Sequence, residues 1–144
     1  MNSSGGNTAL RLLEWLATVA GAVTSLVVPL LFAQPQGRDF PLPGIYFIEI
    51  ALSGLLVMVY VAFRKRLSPV WGLVPWAAAG IILAFVILGG FSIGPYLMPA
   101  LIAFLAVGVL ASIQTGAPVA QRVGILLVAA VAQGVTMLFA TLLF

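Results

Sequence analysis

Long apolar runs alternate along the chain with short polar or turn-forming breaks. Their lengths predict helices over about residues 10–32, 45–63, 71–89, 95–114 and 120–144, each close to the ~20 residues that cross a bilayer's hydrocarbon. The sharpest break is Arg64-Lys65-Arg66, between the runs Ile45 to Phe63 and Trp71 to Leu88. No helix leaves three adjacent cations in hydrocarbon. The triplet is therefore expected in water at one membrane face, with a helical hairpin around it.

The other breaks follow from turn chemistry. Ala33 to Gly44 (AQPQGRDFPLPG) is polar and rich in proline. Gly89 to Tyr96 (GGFSIGPY) divides an apolar stretch too long for one span, and its Gly and Pro residues favour a tight turn. Thr115-Gly116-Ala117-Pro118 marks the last turn. Residues 1–9 carry little to bury and are expected as a flexible tail ahead of a single bundle over 10–144. The first run exceeds the ~7–15 apolar residues of a signal peptide and contains Glu14, so it is expected to stay as a helix.

Composition turns this pattern into a class. Of 144 residues, 63% are hydrophobic and 6% charged. The mean hydropathy is +1.25. A soluble domain carries about 25% charged residues. The chain is expected to be an all-α integral membrane protein, a bundle of five spanning helices with short loops. Its net charge of +3 does not point to nucleic acid, because the basic residues sit at helix ends and in loops. Charge so placed sets orientation. Arg11, Arg64, Lys65, Arg66 and Arg122 fall on one side of such a bundle, and Arg38 on the other. That bias predicts a cytoplasmic N-terminus and an outside C-terminus, as in a multi-pass protein of a bacterial-type plasma membrane.

Candidate chemistry is sparse. Without Cys or His the chain lacks a cysteine nucleophile, the commonest general base, and thiolate and imidazole metal ligands. The acids are Glu14, Asp39 and Glu49, too few for a metal cage in one chain. No phosphate loop, dinucleotide fingerprint, zinc motif or nucleophile elbow occurs. No cofactor, metal or catalytic residue is expected. Arg11 and Glu14, three apart, are expected to pair on the first helix. Trp15, Trp71 and Trp76 are expected as interfacial anchors.

Glu49 stands out, because a carboxylate inside a span is costly and usually faces a bundle interior or cavity. It shares a helical stripe with Ile45, Ser53 and Leu56 or Val57. Three readings stand open. Glu49 is a structural acid bonded to Tyr96 or a hydroxyl, with Ser92, Ser25, Thr136 and Thr141 at suitable depth. Or it pairs with Arg38 of the outer loop. Or it is a proton- or cation-binding group in a pathway, with Ser53 one turn deeper. The candidate binding residues are thus Glu49, Ser53, Tyr96 and Arg38. Gln133 and Thr136 share a face of the last helix and are expected in interhelical hydrogen bonds.

Small residues four apart allow close approach of helices. Ala17, Gly21 and Ser25 form one such face and Ala130 and Gly134 another. Gly80, after Ala77, Ala78 and Ala79, is expected at the closest contact. These features point to a non-enzymatic membrane protein acting through helix packing, as an accessory subunit or homo-oligomer. Its expected partners are the lipid bilayer and either itself or a larger membrane complex. The alternative is a small proton- or cation-coupled transporter or channel-like protein using Glu49.

Overall fold

A computed structural model describes residues 3–33 and 44–143. The elements are α1 (Ser3–Phe32), α2 (Gly44–Phe63), a 3₁₀ helix (Pro69–Leu73) leading into α3 (Val74–Leu88), α4 (Gly94–Thr115) and α5 (Val119–Leu143). There is no strand among the described residues. Among the described residues five helices are long and apolar enough to cross a membrane, counting the 3₁₀ turn with α3. This is the build of a multi-pass membrane protein.

Two boundaries differ from the sequence expectation. The α1 backbone is helical from Ser3, where a loose tail over 1–9 was expected. A helix already nucleated by its apolar part propagates outward at little cost. The third span begins as a 3₁₀ helix because Pro75 has no amide to donate. The Val74 amide instead bonds the Trp71 carbonyl, closing a tighter turn. The loop containing Arg38 lies outside the described residues.

α1 packs on α2 and α4, and α3 packs on the same two helices. These four close a ring, and α5 lies outside it, against α3. Small residues set the closest approaches. A β-carbon at Gly80 would fall on the Leu126 carbonyl and 2.8 Å from the Ala129 β-carbon. One at Gly21 would lie 2.5 Å from Cε1 of Phe104, and one at Gly54 would lie 2.8 Å from the Ser25 β-carbon. Ala130 meets Gly80, and Ala17 packs half-buried on the core. Gly134 breaks the pattern, with nothing within 4 Å of its missing side chain, so it faces no other helix. Four-residue spacing places Ala130 and Gly134 on nearby faces, but of the two it is Ala130 that lies against Gly80 of α3. Trp76 is also not at the interface: it is 2% exposed and packs on Gly108 inside the bundle. Trp15 and Trp71 are exposed.

Candidate functional site

All five spans contribute to one end of the bundle, here the basic end. It gathers the first turns of α1, the end of α2, the 3₁₀ helix, the end of α4 and the start of α5. Local signals fix these termini. α4 stops in a Schellman motif: Gly116 adopts φ 66°, and the Ala117 amide reaches back to the Ser112 carbonyl at 3.1 Å. That leaves Gln114 in the last turn. α2 gives way at Arg64-Lys65-Arg66 to a turn closed by the Arg66 amide on the Phe63 carbonyl at 2.8 Å.

Arg64 does not stay in water. It folds inward, and its side chain is only 18% exposed. Nη1 donates to both oxygens of Glu14, at 2.6 and 2.7 Å. Nη2 donates to Oε1 of Gln114 at 2.5 Å, and Nε2 of Gln114 donates back to Oε2 of Glu14 at 3.2 Å. Three helices are thereby joined by one closed polar triad. The expected Arg11–Glu14 pair is replaced, since Glu14 is 1% exposed on the inward face and Arg11 is exposed. A buried carboxylate requires a charged partner that is buried with it, and Arg64 reaches that space. Lys65 and Arg66 remain exposed.

Arg122 is the second inward-facing arginine. It opens α5 and is 9% exposed. Nη1 donates to the Gly72 carbonyl at 3.3 Å and to Oγ of Ser112 at 3.2 Å. The Ser112 hydroxyl itself donates to the Gly108 carbonyl at 2.7 Å. Among the described residues Arg122 has no carboxylate partner, because the one ion pair there is Glu14–Arg64. Beside it opens a cavity of about 540 Å³, lined by Tyr60, Arg64, Lys65, Ser68, Gln114, Thr115, Arg122 and neighbouring loop residues.

The opposite end holds Glu49, half-buried on α2. Its Oε2 accepts a hydrogen bond from Nε2 of Gln133 on α5 at 2.6 Å. The nearby Tyr46 hydroxyl donates to the Met137 carbonyl at 3.3 Å, a second tie between α2 and α5. None of the described partners named from depth holds the carboxylate. Tyr96 is exposed and packs edge-on against Phe32, with ring centroids 5.2 Å apart. The Ser53 hydroxyl is spent on the Glu49 backbone carbonyl at 2.8 Å rather than on its carboxylate. The Thr136 hydroxyl bonds the Ala132 carbonyl in its own helix. Ser25 is fully buried against Gly54, and its hydroxyl has no partner. Arg38 lies outside the described residues. On the Glu49 stripe Ser53 and Val57 are buried, while Ile45 and Leu56 are exposed.

A signal for Gln133 was present in the sequence. Counted from the basic end at about 1.5 Å per residue, Glu49 lies ~21 Å before Phe63 and Gln133 ~21 Å after Val119. The two are level. The joint role of Glu14, Arg64 and Gln114 carried no such local signal. No protein-family model, curated protein or solved structure matches this chain.

Proposed function

We propose that the protein acts through its helix surfaces, as a non-catalytic accessory subunit or homo-oligomer in the membrane. The observation that carries this reading is the packed apolar layer between the two polar ends. Ile50, Ile82, Phe85, Leu97, Phe104 and Val107 are all at most 2% exposed and pack as one core. Arg64 and Glu49 are about 22 Å apart along α2, with this layer between them. The buried hydroxyls within it are Thr18, Ser25 and Ser53. Thr18 and Ser53 each donate to a carbonyl of their own helix. Among the described residues, then, no continuous chain of hydrogen-bonded side chains links the two ends for an ion or proton to follow. The coupling-group reading of Glu49 has less support for that reason, and because Gln133 already donates to the carboxylate.

α5 offers the surface. Only Arg122 and Leu126 of this helix are buried, and Leu127, Val128 and Val131 face outward. Orientation is part of the proposal. Arg11, Arg64, Lys65, Arg66 and Arg122 all gather at the basic end, which supports placing it in the cytoplasm with the C-terminus outside.

The chain has no cysteine, so a single Val131→Cys variant gives a clean cross-linking probe. Oxidation in native membranes is expected to give a disulfide-linked dimer, and a thiol–amine cross-linker an adduct with a second membrane protein. A variant that stays monomeric under both treatments, and monomeric in mild detergent, would overturn the reading.

A further inference from the structure

The cavity at the basic end goes beyond the helix-surface reading and stands independently of it. Its volume of about 540 Å³ falls within the ~300–1,000 Å³ of small-molecule sites. Arg64, Lys65 and Arg122 line it, and among the described residues no carboxylate does. The charge of Arg64 is already matched by Glu14. The charge of Arg122 is not, although the side chain is nine-tenths buried. Its two bonds go to neutral oxygens through Nη1 alone, and Nη2 and Nε have no partner among the described residues. A guanidinium this buried with no anion beside it is unfavourable, and the planar fork suits an oxyanion that accepts two parallel bonds.

We propose that this cavity binds a phosphate group, carried on an anionic lipid headgroup or free in solution, with Arg122 as its main ligand. Depth fits either source. The walls come from the last turns of α2 and α4, the first turn of α5 and the 3₁₀ helix, which is the level of headgroups rather than acyl chains. Lys65 supplies a second, exposed cation, and anionic lipids concentrate at such basic surfaces. The hydroxyls of Tyr60 and Ser68 stand in the wall as further donors. The Thr115 hydroxyl does not, since it is bonded to the Ala111 carbonyl at 2.8 Å.

The full chain, purified in neutral detergent, gives one arm of the test. Inorganic phosphate is titrated against chloride at matched ionic strength, followed by calorimetry and thermal unfolding. Bilayer nanodiscs with and without phosphatidylglycerol give the other, read by native mass spectrometry of retained lipid. Phosphate binding without lipid retention identifies a soluble ligand, and retained phosphatidylglycerol identifies the headgroup. In whichever arm responds, Arg122→Gln is expected to weaken binding about tenfold or more, the loss of a charge-assisted bond. Arg122 also ties α5 to Gly72, so a variant that stays folded is needed beside it. Lys65→Gln changes an exposed side chain and is expected to weaken binding about threefold with unchanged thermal stability. No response from the wild type in either arm overturns the proposal, as does wild-type binding in both variants.

Discussion

The two ends of the bundle each hold an inward-facing glutamate, and they treat it differently. At the basic end Glu14 is fully buried, and it is held by a guanidinium from the turn after α2 and an amide from α4. At the other end Glu49 is half-buried and held by the amide of Gln133. The cavities differ in the same sense. The basic end opens into about 540 Å³ lined by three cations. The other end has about 220 Å³, walled largely by Tyr46, Phe47, Ile50, Phe85 and other apolar groups. The contrast teaches that depth along a helix does not rank these acids. What ranks them is whether the surroundings supply an opposite charge, because a buried ion without one is strongly disfavoured.

If that holds, the largest effect belongs to the triad. Glu14→Leu leaves the Arg64 guanidinium without its counter-ion and is expected to lower stability by about 3 kcal/mol. Adding Arg64→Met should recover much of that loss. Thermal unfolding of both single variants and the double variant in detergent checks it. Strictly additive losses would mean that the pair does not couple the helices.

Next in size is a packing contrast along α3 and α5. Gly80→Leu must push against the α5 backbone and is expected to cost about 1–3 kcal/mol. Gly134→Leu meets open space and should leave the unfolding temperature nearly unchanged. Equal effects of the two would mean that α5 does not lie on α3 as described.

The smallest effect is expected at Glu49. Glu49→Gln keeps an acceptor for Gln133 and should cost no more than about 1 kcal/mol, as is common for hydrogen bonds between membrane helices. A loss as large as that of Glu14→Leu would erase the distinction between the two ends.

The spans and their breaks were legible because each rests on local chemistry. Gly116 and Pro118 end α4, and Gly89, Gly90, Gly94 and Pro95 make the turn before it. The contact at Gly80 was legible for the same reason, being the end of a run of small side chains. The polar sites were less so. Arg11 and Glu14 satisfy the three-residue rule, but that rule sees only neighbours on one helix. Glu14 found Arg64, fifty positions away, because helix rotation in the bundle turned it inward. Helix rotation is set by all the packing faces together, and α3 and α4 are apolar nearly all round, so no stripe reveals it. Arg64 and Arg122 therefore read as topology signals, although both turn toward the bundle.

The central claim is that a packed apolar layer separates the two ends and that the protein works through its surfaces rather than by conduction. Proton flux into liposomes containing the purified protein, under an imposed pH gradient and membrane potential, tests it most directly. Wild type and Glu49→Gln should both leak no faster than empty liposomes. A wild-type flux well above that leak, abolished by Glu49→Gln in a protein that remains folded, would contradict the account.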